Sequence, residues 1–163
     1  MRIGFGYDIH PLVPNRPLIL GGIHVPFHKG PTGHSDADVL CHAIGDALLG
    51  AASLGDIGEH FPDSDPQFKN ADSLVLLGRI LEKISAAAFV VRNVDATVVL
   101  EVPSLGPFKK AMGERVANAL RLSRNEVSIK AKTNERFEAV GKGEAVAAFA
   151  VVLLEASGAD GRP

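Results

Sequence analysis

Residues 35–50 read SDADVLCHAIGDALLG, and the rest of the chain is arranged around them. Val39, Leu40, Ala43, Ile44, Ala47 and Leu48 recur at three- and four-residue spacing, which marks one apolar face of an α-helix. Ser35 or Asp36 offers an N-cap oxygen and Gly50 a stop, so the pattern predicts a helix between them. Asp38, His42 and Asp46 fall four apart and share a second, polar stripe. Such a stripe on an otherwise apolar helix is costly to bury unless it serves a site.

On the N-terminal side, Arg2 to His10 reads as a strand. Pro17 to Leu20 and Ile23 to Phe27 read as two short strands joined at Gly21-Gly22, and Phe27 to Ser35 as a loop. On the C-terminal side, Gly55 to Lys69 reads as a loop carrying FPDSDP. Leu77, Ile80, Leu81 and Ile84 predict a helix from Asp72 to Ala87. Ala96, Val98 and Leu100 alternate with Asp95, Thr97 and Glu101, which predicts a strand from Asn93 to Val102. Phe108, Met112 and Val116 predict a helix from Pro107 to Leu120. Val127 to Thr133 reads as a strand, and Ala145 to Leu154 as a fully buried one. Hairpin strands interleaved with helices indicate an α+β fold, an α/β sandwich with a single mixed β-sheet packed against about three helices. One domain is expected over residues 1–157, with residues 158–163 as a flexible tail.

Composition narrows the function classes. The 163 residues are 46% hydrophobic and 22% charged, enough for a real core and unlike a disordered chain. The net charge of −2, without a basic stripe, argues against a nucleic-acid partner. A single cysteine, Cys41, excludes an intrachain disulfide and suits a reducing cytoplasm. The opening MRIGFGYDIHP lacks the charged and apolar regions of a secretion signal, and no apolar run reaches the roughly 20 residues of a membrane helix.

The chemistry-bearing residues fall into a few groups. Asp8 and His10 sit two apart in the first strand and so share a face. A carboxylate and an imidazole side by side suit zinc, and His42 offers a third ligand. Three protein ligands would leave one tetrahedral position open, the mark of a catalytic site. Asp38 or Asp46 would then accept the other imidazole proton of His42. The alternative is that Asp8 and His10 finish an exposed strand and His42 packs a helix, since Asp-x-His is a weak pattern. His34 and Ser35 precede the helix, where backbone N–H groups bind anions. On the residues alone, a plain cap with a solvent histidine is the favoured reading. His24, His28 and His60 have no partner in the pattern and read as surface residues.

Asp56-Ile57-Gly58 and Phe61-Pro62-Asp63-Ser64-Asp65 form a proline-stiffened acidic loop. It suits polyol hydroxyls, or simply Asx turns at Asp63 and Asp65. Lys132, Thr133, Asn134 and Glu135 follow a strand and offer donors to phosphate and an oxygen to magnesium. Neither a P-loop nor a dinucleotide fingerprint is present.

Together the runs RIGFGYDIHP, PLILGGIHVP, GHSDADVLCHAIGDALLGAASLGDIGEHFPDSDPQFKNADS, NVDATVVLEVP, IKAKTNE and GKGE cover nearly the whole chain in order. The chain resembles the 2-C-methyl-D-erythritol 2,4-cyclodiphosphate synthase family. The resemblance implies a lyase of the non-mevalonate isoprenoid pathway. Its members convert a cytidine-diphosphate derivative of methylerythritol 2-phosphate into a cyclic diphosphate and CMP. It implies a cytoplasmic homotrimer with active sites at subunit interfaces. Zinc would lie on Asp8, His10 and His42, and magnesium or manganese on Glu135. His34 and Thr133 would stabilise charge on the reacting phosphates. Residues 8–10, which include Ile9, would join Ser35, Asp56 to Gly58 and Phe61 to Asp65 in holding the methylerythritol phosphate end. The cytidine end would lie on a neighbouring subunit, against Leu100, Glu101, Val102, Pro103, Ser104, Leu105 and Gly106, together with Ala131 to Thr133. Asn134, Ala139 and Lys142 complete the implied contacts. Three positions depart from the family pattern: Ser104 replaces a common lysine, Ala139 an aromatic and Lys142 an arginine, with Phe137 the nearby candidate to restore the ring. Two other activities fit the residues, a zinc-dependent phosphohydrolase and a non-catalytic trimer that binds nucleotides or isoprenoid phosphates.

Overall fold

The computed structural model describes residues 1–33, 35–62, 64–68 and 71–158. His34, Asp63 and the tail from residue 159 lie outside the described residues. Among the described residues there are seven strands: β1 (Arg2–Pro14), β2 (Leu18–Leu20), β3 (Ile23–Val25), β4 (Lys29–Pro31), β5 (Phe89–Val99), β6 (Val127–Lys132) and β7 (Ala145–Ala156). Three long helices accompany them, α1 (Val39–Ala52), α3 (Ser73–Ala86) and α4 (Lys109–Ala119). Two single-turn helices, α2 (Ile57–His60) and α5 (Glu138–Gly141), raise the expected three helices to five among the described residues. The one turn of α2 sits in the stretch read as loop, because Asp56 caps it by accepting the Glu59 N–H at 3.0 Å.

The main sheet runs β4-β1-β7-β5-β6, and β2 and β3 pair as a separate ribbon. All neighbours are antiparallel except β5 and β6, which α4 connects in parallel. The sheet is therefore mixed, as expected. β1 extends four residues past His10, and its last residues pair with β4 inside the stretch read as loop.

α1 packs across β1 and β7, α3 against α1 and β5, and α4 against β6. Their apolar faces meet alternate residues of the strands in one core that includes Leu40, Ile44, Leu48, Leu77, Ile80 and Met112. β7 is not fully buried, because its alternation leaves Phe149 and Val151 on the opposite face at 39% and 43% exposure. Ile3, Phe5, Tyr7 and Ile9 of β1 are exposed on that face too, and Tyr7 and Phe149 stack at 5.0 Å. The sheet thus covers one face with helices and leaves an apolar patch on the other. No helix among the described residues is long and apolar enough to cross a membrane.

α1 begins at Val39, later than the Ser35 or Asp36 cap. Ala37 has a φ of 58°, which no helix continues through. Asp38 caps instead, accepting from the Cys41 N–H at 3.1 Å. The helix also passes Gly50 and ends at Ala52 with Ser53 in the left-handed conformation.

Candidate active site

Close approach of α1 to β1 builds the site. The even-numbered residues of β1 face the helix, and two of them, Gly4 and Gly6, are glycines. A Cβ on Gly4 would lie 1.8 Å from the Ala47 carbonyl oxygen, and one on Gly6 would lie 2.0 Å from that of Ala43. Continuing the alternation, Asp8 and His10 project toward the next turn of α1, which carries His42. Asp8 Oδ2 lies 3.0 Å from His10 Nε2 and 2.9 Å from His42 Nδ1. The two imidazole nitrogens are 3.2 Å apart. The strand end and helix that the sequence spaced 32 residues apart converge on one point.

The Ile9 N–H donates to Asp8 Oδ1 at 2.9 Å, which leaves Oδ2 as the oxygen presented to the histidines. Burial raises the Asp8 pKa, but the hydrogen bonds from His10 and His42 outweigh it and hold the carboxyl well below the usual range. Burial lowers the His42 pKa, yet the Asp8 hydrogen bond and charge leave it raised above 6.5. One carboxylate oxygen and two imidazole nitrogens within reach of each other form a set that could hold a metal ion.

The cluster lines a pocket of about 370 Å³ with Gly33, Ser35, Asp46, Ile57, Gly58, Phe61, Pro62, Phe68 and Leu76. Ile57, Gly58, Phe61 and Pro62 are among the contacts the family resemblance implies, whereas Phe68 and Leu76 are not. Phe61 and Phe68 meet edge to face at 5.2 Å, and both are buried. Asp56 caps α2 at the pocket's border, and Asp65 accepts from Gln67 N–H at 3.0 Å in an Asx turn, while Ser64 is exposed.

The hydrogen bonds of the two helix carboxylates lead away from His42. Asp46 Oδ1 accepts from the Ile57 N–H at 2.8 Å and so ties α2 to α1; burial raises its pKa. Asp38 is wholly buried and accepts from the Gly22 N–H at 2.7 Å as well as from Cys41. Its own position as helix cap turns its oxygens toward backbone donors. The groups behind His42 are serines: Nε2 lies 3.0 Å from Ser35 Oγ and 3.1 Å from Ser73 Oγ. Ser73 opens α3, and no local pattern in the sequence distinguishes it from any serine at a helix start. His60 also has a partner, the Leu54 carbonyl at 2.8 Å, whereas His24 and His28 are exposed as expected.

A second pocket, of about 380 Å³, gathers Leu100 to Gly106 with Ala131 to Thr133 and adds Lys109. The expected cytidine-side residues therefore come together, and none of them lines the first pocket. Just beyond, Thr133 Oγ1 donates to Glu135 Oε1 at 2.6 Å. Glu101 Oε2 accepts from the N–H groups of Asn134 and Arg136 at 3.1 and 3.4 Å. Glu135 and Arg136 hold φ values of 50° and 64°, strained for non-glycine residues. Ala139, Lys142 and Phe137 are exposed and line neither pocket.

Residues 1–155 match the model of the YgbB family. The chain belongs to the YgbB family. A 2-C-methyl-D-erythritol 2,4-cyclodiphosphate synthase from Laribacter hongkongensis is 55% identical over 155 residues, 95% of this chain and 96% of that protein. Among solved structures, a 2C-methyl-D-erythritol-2,4-cyclodiphosphate synthase with CDP bound superposes with a TM-score of 0.87 at 38% identity, covering 94% of this chain and all of that one. The bifunctional IspDF of Campylobacter jejuni superposes with a TM-score of 0.91 at 41% identity. It covers 95% of this chain, which spans 42% of that larger protein. This YgbB-family chain thus matches, over nearly its whole length, proteins named as 2-C-methyl-D-erythritol 2,4-cyclodiphosphate synthases.

Proposed function

We propose that this protein is a 2-C-methyl-D-erythritol 2,4-cyclodiphosphate synthase, a phosphorus–oxygen lyase of non-mevalonate isoprenoid synthesis in the cytoplasm. It converts 4-diphosphocytidyl-2-C-methyl-D-erythritol 2-phosphate into the 2,4-cyclodiphosphate and CMP. An oxygen of the 2-phosphate attacks the β-phosphorus in line. The new P–O bond closes the ring, the bond from β-phosphorus to the bridging oxygen breaks, and CMP leaves with that electron pair. The carrying observation is the Asp8–His10–His42 cluster opening on a pocket, in a chain that follows a CDP-bound synthase over 94% of its length.

Zinc fits the three donors. Tetrahedral bonds of about 2.0–2.1 Å set ligand atoms about 3.3 Å apart, close to the 2.9 to 3.2 Å separations in the cluster. When bound, a divalent ion offsets the repulsion between two anionic phosphates. The chain's own residues do the rest. Asp8 and His10 of β1 and His42 of α1 would hold the ion. The Asp46–Ile57 bond holds α2 so that Ile57 and Gly58 stay in the wall. Phe61, Phe68 and Leu76 keep that wall apolar and exclude water, whose attack would give a linear product. Binding both ends of one molecule makes the step intramolecular, worth up to roughly 7–11 kcal/mol.

The methylerythritol phosphate end rests on Ser35, Asp56 to Gly58 and Phe61 to Asp65, with His34 and Thr133 stabilising charge at the phosphates. The cytidine end rests on the second pocket of a neighbouring subunit, and Glu135 holds magnesium or manganese. Separation of the two pockets within one chain supports a site completed by another copy. The apolar patch of Ile3, Phe5, Tyr7, Ile9, Phe149 and Val151 supports a homotrimer closed over that sheet face.

Incubation with substrate, zinc and magnesium is expected to release CMP and the cyclic diphosphate in equal amounts, from a species of three chains by native mass. A linear product carrying solvent oxygen would indicate a phosphohydrolase, and nucleotide binding without turnover a non-catalytic trimer. Glu135→Gln is expected to raise the magnesium concentration needed for half-maximal rate about tenfold or more, since a neutral amide is a poor ligand for a hard cation. Zinc content should stay at the wild-type level. An unchanged magnesium titration removes Glu135 as a ligand.

A further inference from the structure

A neutral imidazole has one N–H and one lone pair, so a histidine binds a metal through one nitrogen only if its proton is kept on the other. His42 presents Nδ1 to Asp8 and His10, and Nε2 to the hydroxyls of Ser35 and Ser73. Whether Nε2 keeps the proton depends on what those hydroxyls do.

Ser73 is 1% exposed, and its hydroxyl has a second partner: Oγ donates to Asp36 Oδ1. A carboxylate only accepts, so the Ser73 proton is committed to Asp36. Toward His42, Ser73 therefore has only lone pairs, and Nε2 must be the donor. Asp36 is itself fixed at both oxygens. Oδ2 accepts from the Ser73 N–H at 3.1 Å and Oδ1 from the Asp38 N–H at 3.2 Å. Ser35 Oγ, meanwhile, accepts from the Ala37 N–H at 3.1 Å. The chain of donors runs one way, from Nε2 through the buried hydroxyl to the carboxylate.

We propose that Ser73 and Asp36 are positioning residues for the metal ligand His42, a hydroxyl–carboxylate relay that holds its Nε2 proton and reserves Nδ1 for the metal. The relay rests on the reading of Asp8, His10 and His42 as metal ligands, and it does not depend on which reaction follows. It also replaces the direct carboxylate partner that Asp38 or Asp46 would have been. The relay spans three elements: α1 carries His42, α3 begins with Ser73, and Asp36 lies in the bend before α1. Ordering the site thus couples the start of α3 to the metal.

The test measures zinc affinity by competition with a chelator on the full chain, together with the imidazole ¹⁵N–¹H spectrum of the zinc-loaded protein. Ser73→Ala removes the acceptor that is tied to Asp36, leaving only the Ser35 hydroxyl, whose proton no carboxylate among the described residues holds. It is expected to weaken zinc binding about 10–100-fold, the range for lost partners of metal-bound histidines. The slowly exchanging His42 Nε2–H signal should disappear with it. Asp36→Asn keeps the shape but places an amide donor against Ser73. One amide oxygen cannot hold both the Ser73 hydroxyl and the Ser73 N–H as the two carboxylate oxygens do, so the relay loses its fixed end and the loss should be similar. Asp72→Ala is the control for structure. Asp72 caps the same helix start by accepting from the Leu74 N–H at 2.8 Å, and makes no bond to the relay. It should lower the melting temperature and leave zinc affinity within about twofold.

Zinc affinity within twofold of wild type in Ser73→Ala, or in Asp36→Asn should the former not fold, overturns the relay. So does an equal loss in Asp72→Ala, which would make the effect one of helix capping. Wild-type protein that binds no zinc fails the metal reading itself, a result distinct from the others.

Discussion

His42→Ala is expected to strip the protein of zinc and lower turnover about a thousandfold or more, while leaving it folded. The first two effects follow from geometry. His42 is the only ligand that α1 contributes to the cluster, and without it Asp8 and His10 offer two donors from a single strand. Losing the charge compensation at a dianionic reaction centre costs several kcal/mol, and about 1.4 kcal/mol is tenfold in rate. Folding survives because the imidazole lies at the edge of a core carried by Leu40, Ile44, Leu48 and their neighbours. Metal content by mass spectrometry, the rate of CMP release and circular dichroism check the three parts. Wild-type zinc content in the variant would remove His42 from the ligand set.

The metal-free protein adds a pH signature to the same substitution. Asp8 is held below its ordinary 3.8, so its share of stability is present above that value and fades as pH falls through the depressed one. His42 is raised above 6.5, so its share is present below 6.5 and fades as pH climbs through the raised value. Both shares overlap between 3.8 and 6.5. The melting temperature of chelated wild type should exceed that of chelated His42→Ala most within that window, and the gap should close on either side.

Periodicity made the long elements legible. The apolar spacing in α1, α3 and α4 and the alternation in β5 follow from burial of one face, and burial is written in residue type. Part of the cluster was legible for a related reason: a two-residue spacing on a strand fixes Asp8 and His10 on a shared face wherever the strand ends up, whereas joining them to His42 on another element rested on the family resemblance. The partners of Asp38, Asp46 and His42 were not legible. Helical spacing placed the three on one stripe, but each hydrogen bond is settled by what comes from elsewhere: Gly22 of a hairpin, Ile57 of α2, Ser73 of α3. Short features escaped for a different reason. α2, α5 and β4 have four, four and three residues, too few to show a period, and are held by caps or by a neighbouring strand. The exposed apolar face of β7 was hidden by composition, since an unbroken apolar run reads as buried on both sides.

Gly6→Ala is expected to destabilise the fold by about 3 kcal/mol or more, lowering the melting temperature by roughly 6–12 °C for a chain of this size. The added Cβ would sit 2.0 Å from the Ala43 carbonyl oxygen and 2.7 Å from the Ala47 nitrogen. Both are backbone atoms of α1, which cannot swing aside as a side chain would, so the whole helix must lift from β1. Lifting α1 carries His42 away from Asp8 and His10, and zinc affinity should fall together with stability, although Gly6 touches no ligand. Gly50→Ala in the same helix has the opposite sign. A Cβ there meets nothing within 4 Å, and alanine in a helix interior is favoured over glycine by about 1 kcal/mol. Thermal unfolding of the two variants beside wild type decides the matter. A Gly6→Ala protein that melts within a degree or two of wild type, with its zinc affinity intact, would mean that strand and helix are not held at the separation on which the metal site depends.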